Sequence, residues 1–324
     1  MNLDARLITQ LRTAVEDTLR SLLAASTRVA LLDFPAYSNV GDSAIWLGER
    51  AVLRALGRRV VYAADIETFD PTALRRRLGD GTILLSGGGN VGDLWPRHQQ
   101  FRERLLREFP DHPIVQLPQS VRFDDPSALA RARAAFDGHP AFVLLVRERQ
   151  SLEVAGDAFR CTTRLCPDAA FGLRLTGGDG RPTVGTAWVM RTDQEARWGG
   201  APLPGADVTD WVDERQTAVV RAERWLRCRI AARAGGQWMA RRVLSTLQDR
   251  LARARVQRGC RTLARGRRVV TDRLHGHVLC LLLGIPHVVL DNSYGKVRSF
   301  FDTWCRDSQL ARWAETPADV AREI

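Results

Sequence analysis

The residues best suited to chemistry fall in four short segments, each at the end of an apolar run. The first, Asn39-Val40-Gly41-Asp42-Ser43, is a small-residue turn in which Asp42 or Ser43 can cap a following helix. The second runs Ser86-Gly87-Gly88-Gly89-Asn90-Val91-Gly92-Asp93-Leu94-Trp95. Its glycines leave backbone N–H groups open to an anion. Beside them Trp95 offers a ring for a sugar to lie on, and Asp93 can accept a hydroxyl proton. This stretch is neither a P-loop nor a GxGxxG turn. The third, Arg147-Glu148-Arg149, suits bidentate capture of a carboxylate or phosphate. In the fourth, Thr271-Asp272-Arg273-Leu274-His275-Gly276-His277, Arg273 and His275 stand where a helix N-terminus favours an anion, and Asp272 can orient either. Each segment has a plainer reading as well: a cap, a tight turn, or one more surface arginine.

Strands must carry these segments. Short runs rich in Val, Leu and Ile (Arg28–Phe34, Arg59–Ala64, Gly81–Gly87, Pro113–Leu117, Ala141–Val146) predict buried strands. Between them Ser43–Leu56, Pro96–Phe109 and Pro126–Phe136 predict helices. That alternation predicts an α/β fold with a parallel sheet covered on both faces, in which ligands sit beyond the carboxyl ends of the strands. Beyond Phe171, the turn-forming stretch 176–182 is the expected linker, followed by a strand (Thr183–Met190) and a loop with Gly199, Gly200 and Pro202. A helical region from Asp207 to Leu263, a second strand-loop-helix unit and a helix over 309–324 complete the expectation. The expected domains are 1–174 and 175–308, with the helix 309–324 packing back on the N-terminal domain.

Composition narrows the class. A chain of 324 residues, 45% hydrophobic and 26% charged, is globular and long enough for two domains. No apolar run approaches the roughly 20 residues of a membrane span, and the N-terminus shows no secretory pattern, so a cytoplasmic protein is expected. Six cysteines without a CxxC pair predict reduced thiols and no metal site. The net charge is +11, and 47 of the 48 basic residues are arginine, the bias of a GC-rich genome. Lys296 is the lone lysine, which suggests a position requiring a compact ammonium. Residues 221–268 hold fifteen arginines against Glu223 and Asp249, a stretch open to anionic lipid, to nucleic acid or to solvent alone. Few aromatics are interleaved there for stacking on bases, so no specific nucleic-acid partner is expected.

Together these segments resemble the polysaccharide pyruvyl transferase family. The resemblance rests on Asn39-Val40-Gly41-Asp42, Gly87-Gly88-Gly89-Asn90, Gly92-Asp93-Leu94-Trp95, Gln116-Leu117-Pro118-Gln119-Ser120, Arg147-Glu148 with Ser151, and Cys166-Pro167-Asp168. It is most specific in Val270-Thr271-Asp272-Arg273-Leu274-His275-Gly276-His277 and Asp291-Asn292-Ser293-Tyr294-Gly295-Lys296. The resemblance implies two Rossmann-like domains in a GT-B-like arrangement with the active site in the interdomain cleft. It also implies transfer of pyruvyl from phosphoenolpyruvate, a co-substrate rather than a cofactor, onto two hydroxyls of a sugar in a cell-surface glycan precursor, such as a lipid-linked oligosaccharide. Arg147, Arg273 and His275 are the positions it assigns to phosphoenolpyruvate. On this reading His275 is the acid, Asp93 the first choice of base and Asp42 the second, and Lys296 meets the leaving phosphate. Asn39, Gly87, Gly88, Gly89, Asn90 and Trp95 form the phosphate or sugar loop. A peripheral contact with an anionic membrane at the inner leaflet is a further expectation. The competing expectation is a GT-B glycosyltransferase using a nucleotide sugar.

Overall fold

The computed structural model describes residues 3–23, 27–175, 181–198, 208–212, 214–232 and 238–323. A first set of elements runs α1 (Leu3–Leu22), β1 (Arg28–Leu32), α2 (Val40–Ala55), β2 (Arg59–Ala64), α3 (Pro71–Leu78), β3 (Thr82–Leu85), β4 (Gly88–Gly92), α4 (Pro96–Glu108), β5 (Ile114–Arg122), α5 (Pro126–Gly138), β6 (Phe142–Val146), α6 (Arg149–Ala158) and β7 (Thr162–Leu165). Its strands form one sheet in the order β2-β1-β3-β5-β6-β7, with β4 laid alongside β5. The second set comprises β8 (Val184–Val189), β9 (Val208–Thr209), α7 (Ala218–Ala231), α8 (Trp238–Ala264), β10 (Gly266–Thr271), α9 (Leu274–Leu283), β11 (His287–Val289), α10 (Lys296–Trp304), β12 (Ala311–Trp313) and α11 (Val320–Glu323). These strands pair as β12-β11-β10-β8-β9. Every pairing in both sheets is parallel. The α/β expectation therefore holds, for the reason the sequence suggested: strands such as Arg28–Leu32 and Thr82–Leu85 are buried along nearly their whole length, which only helices on both faces achieve.

Three expectations need correction. The C-terminal stretch is not a helix from residue 309. Residues 311–313 add an edge strand, and Val320 packs against Trp188, Val270, Val288 and Leu290 of the second sheet, not against the first. A three-residue strand has too little alternation to be told from one helical turn. The element that crosses over is the N-terminal helix α1. Its Leu11 joins the core of the second sheet while Val15 and Leu19 join the core of the first, and Asp4 accepts a 2.6 Å hydrogen bond from the Ser308 hydroxyl. Finally, the helical region starts at Ala218, and Val208–Thr209 is a strand. Most of the expected linker 176–182, the Gly199-Gly200 and Pro202 loop, and Asp207 lie outside the described residues.

Helix α2 is the hinge of the design. Asn39 caps it, its side-chain oxygen accepting from the Gly41 amide at 3.0 Å. Further along, Glu49 is fully buried beneath the turn after β3, accepting from the Gly87 amide at 2.7 Å and from the Ser86 hydroxyl at 2.9 Å. Burial pushes its carboxyl up to about 8, and those two donors only partly oppose the rise. A folded-state value raised above the ordinary 4.5 gives stability that is complete below 4.5 and lost as pH rises through about 8. We therefore expect the thermal midpoint to fall as pH is raised through that window, and to fall less in Glu49→Gln. Parallel pH profiles for the two proteins would show that Glu49 is already ionised in the fold.

Candidate active site

A cavity of about 350 Å³ opens where the carboxyl ends of the two sheets face each other. The first sheet delivers Arg147 from the residue after β6, and the second delivers Arg191 after β8 and Arg273 after β10. Helix α9 contributes His275 from its first turn, and Lys296 opens α10. All five are among the lining residues. Of the residues expected from sequence, Asn39, Asp42, Gly89, Asn90, Trp95, Arg147, Arg273, His275 and Lys296 come together here.

Gly87, Gly88 and Asp93 do not line it. Asp93 turns away and accepts from the amides of Asp124 and Asp125 at 2.8 and 2.5 Å, bracing the loop before α5. That contact engages its carboxylate with the loop and leaves it off the cavity wall. The glycine-rich stretch is also not the open anion cradle expected. Its Gly87 amide is bonded to Glu49, and its Asn90 amide to the Gln119 side chain at 2.9 Å. What the glycines allow is close approach. A Cβ on Gly89 would lie 3.2 Å from both the Arg147 guanidinium and the Lys296 ammonium.

Each cation is held by a buried carboxylate. Arg147, only 2% exposed, donates from Nη1 to Asp168 at 2.8 Å and from Nε to the Ser120 hydroxyl at 3.0 Å. Asp168 also faces His275, whose Nε2 lies 3.3 Å from the same oxygen without hydrogen-bond geometry. Burial alone would raise the Asp168 carboxyl, but the imidazole of His275 and the guanidinium of Arg147 hold it well below the usual carboxylate range. Arg273 donates to Asp210 at 2.5 Å and lies over the Trp211 ring. Lys296 is paired with Glu195, to which Arg191 also reaches at 3.1 Å. Burial would raise Glu195 too, yet Lys296 and Arg191 bring it down to about 2.

Sequence reasoning missed Arg191, Glu195, Asp210 and Trp211. The signal was available, since they follow β8 and β9, and loops after strands were the places to search. It missed His98 as well. Asp33, at the end of β1 with a left-handed φ of 67°, sets both carboxylate oxygens 2.9 Å from His98 Nδ1. Although burial would lower the His98 imidazole, the Asp33 carboxylate raises it above its ordinary value. Asp42 sits nearby, fixed by a 2.8 Å hydrogen bond from the Asn39 amide nitrogen. Of the two histidines in the fourth segment only His275 reaches the cavity. His277 is fully buried, 2.7 Å from His287, and is a core residue. Asp272 accepts from the Arg191 amide at 2.8 Å and so orders the loop after β8.

The chain matches the family model described as polysaccharide pyruvyl transferase over residues 39–294, which takes in every cavity residue except Tyr37, Ser38 and Lys296. It is 34% identical to Pyruvyl transferase 1 of Schizosaccharomyces pombe, over 87% of this chain and 71% of that protein. With the putative pyruvyl transferase EpsO of Bacillus subtilis it shares 32% identity, over 88% of each chain. In fold it is similar to the crystal structure of an uncharacterized protein from Klebsiella pneumoniae, with a TM-score of 0.62 and 18% identity over 94% of this chain and 99% of that one. A cavity walled by buried, carboxylate-held cations at the ends of two parallel sheets, in a chain with these relatives, makes this protein a transferase belonging to the polysaccharide pyruvyl transferase family.

Proposed function

We propose that the protein transfers the pyruvyl group of phosphoenolpyruvate to two hydroxyls of one sugar in a cell-surface glycan precursor, closing a cyclic ketal and releasing phosphate. The observation that carries this reading is the convergence of Arg147, Arg273, His275 and Lys296 on one small cavity. The proposed donor carries a carboxylate and a phosphate on adjacent positions of a three-carbon frame, so it needs cations at both ends and an acid beside its methylene. Arg147 and Arg273 suit the anionic ends, and Lys296 suits the phosphate as it leaves. The reading includes a GT-B-like arrangement, in which the carboxyl ends of two parallel sheets share one cleft.

His275 gives its proton to the methylene carbon, leaving an oxocarbenium-like centre at the middle carbon. The first sugar hydroxyl attacks that centre, and its proton passes to a base. Asp42 takes that role, because it lies in the cavity and Asp93 does not. The carbon–oxygen bond to phosphate then breaks, the second hydroxyl closes the ring, and its proton leaves with phosphate. His275 is suited to its part because it lines the cavity, with Asp168 3.3 Å from its Nε2 to hold the ring in place. Holding donor and diol together supplies much of the acceleration. A nucleotide-sugar donor fits less well, since two amides of the glycine-rich stretch that would hold its diphosphate are already bonded.

The direct test is mass spectrometry of glycan acceptors incubated with labelled phosphoenolpyruvate, looking for the ketal mass gain together with free phosphate. A glycosyltransferase would consume none of the label. We expect His275→Ala to lower phosphate release by about a hundredfold or more while the protein remains folded. Near-normal turnover would remove His275 from the acid role. Gly41→Ala should also slow turnover, because the added Cβ would meet His275 Nδ1 at 2.5 Å and displace the ring. Asp168→Ala is expected to act on stability, costing about 3–5 kcal/mol in urea denaturation by leaving Arg147 buried without its partner. A cost near zero would mean that water or Glu148 takes over the charge.

A further inference from the structure

Six large apolar side chains are well exposed among the described residues, and four of them sit together in sequence: Trp225, Trp238, Met239 and Val243, at 61, 40, 63 and 51%. All four lie within about two turns of the connection between α7 and α8. The first buried residue of α8 is Leu244, and its opening turns lie on the surface, held to the body through Arg241, which donates to the Thr68 carbonyl and pairs with Asp70. Beneath them, between β2, α3 and α8, is a groove of about 510 Å³ lined by seven arginines and one carboxylate, Asp249. Asp249 is already committed to the Trp46 indole at 3.0 Å and to Arg50 at 2.7 Å. Arg59, Arg76, Arg77 and Arg242 pair with no carboxylate among the described residues. Arg77 and Arg242 instead lie over the Trp238 ring, 4.2 and 5.6 Å from its centre.

We propose that the exposed side chains on α7 and the start of α8, with the basic groove beside them, form a docking face for an anionic lipid membrane. The inference goes beyond pyruvyl transfer and does not rest on it. Unpaired guanidinium groups call for a surface of negative charge. Indole rings with guanidinium groups on their faces belong where an apolar layer meets a polar one. A nucleic acid would satisfy the arginines and offer the indoles bases to stack on, but it gives Met239 and Val243 nothing apolar to enter. A lipid leaflet satisfies both. No helix among the described residues is long and apolar enough to cross a membrane, so the contact is one of lying on the surface.

Helix α8 also ties this face to the cleft. From Arg242 it runs about 24 Å to Arg258, which donates to the carbonyls of Ser38 and Trp211 at the cavity rim. A protein docked through this face therefore holds its cleft at a fixed distance from the lipid.

Cosedimentation of the full chain with phosphatidylcholine vesicles, with and without phosphatidylglycerol, tests the proposal. The wild type should pellet with the anionic vesicles only, and less so as salt is raised. Arg76→Ala combined with Arg242→Ala, and Trp238→Ala combined with Met239→Ala, should each weaken that binding about tenfold with the thermal midpoint unchanged. Met239→Gln, an uncharged change at the most exposed position, serves as the second variant if removal of Trp238 disturbs the fold, and it too should bind more weakly. Failure of the wild type to pellet with anionic vesicles would overturn the proposal, as would apolar variants that bind like the wild type. Equally tight binding of duplex DNA that is indifferent to Met239→Gln would assign the face to nucleic acid instead.

Discussion

Cations gathered a few ångströms apart inside a protein repel one another strongly, and a cavity made of them persists only if buried carboxylates separate them. Asp168 is the carboxylate on which the rest depends. One of its oxygens meets Arg147 from the first sheet at 2.8 Å and His275 from the second at 3.3 Å, and it is wholly buried. A single charge thus fixes the separation of two groups brought by different sheets. Within the second sheet, Glu195 joins Lys296 to Arg191 and Asp210 holds Arg273. These carboxylates hold the cations desolvated and aimed at one cavity, which is preorganisation in the electrostatic sense.

Placing Asp168 is a backbone problem, and α2 solves it. The short 3-10 turn Ala169–Gly172 follows Asp168 directly, and the Asp168 side chain caps it by accepting from the Ala170 amide. That turn lies so close to α2 that a Cβ on Gly48 would sit 2.0 Å from the Ala169 carbonyl oxygen. One helical face therefore carries two glycine contacts, Gly48 against the turn that bears Asp168 and Gly41 against the ring of His275. Neither glycine needs an unusual φ. Each is small because another part of the site must come close.

Much of this was legible from sequence, and the failures have physical causes. Strand ends were visible because fully buried parallel strands read as apolar runs, and the segments containing Arg147 and Arg273 follow such runs directly. The function of the glycine-rich stretch was misread because a glycine states only that space is short, not whether an anion or a neighbouring side chain fills it. Asp93 looked equivalent to Asp42 by type and position, but only tertiary contact with the amides of Asp124 and Asp125 separates them. Glu195 and Asp210 were invisible for a different reason. They come from connections without periodicity, and their importance lies in partners about 100 and 63 residues away, Lys296 and Arg273. The C-terminal strand was lost because three residues carry almost no pattern.

The lone lysine closes the argument about charge. In a chain with 47 arginines, a planar fork would be the default at any cationic position. Lys296 is 5% exposed, paired with Glu195, its ammonium 5.0 Å from the centre of the Tyr294 ring and close against Gly89. The Arg147 guanidinium approaches the same glycine just as closely. A second guanidinium there would bring a longer, wider group into a gap that admits no Cβ without adjustment, and it would set two planar forks face to face in low dielectric. An ammonium concentrates the same charge in a smaller volume and turns freely on its stem. The position thus joins a charge, answered by Glu195, to a space that suits the smaller cation.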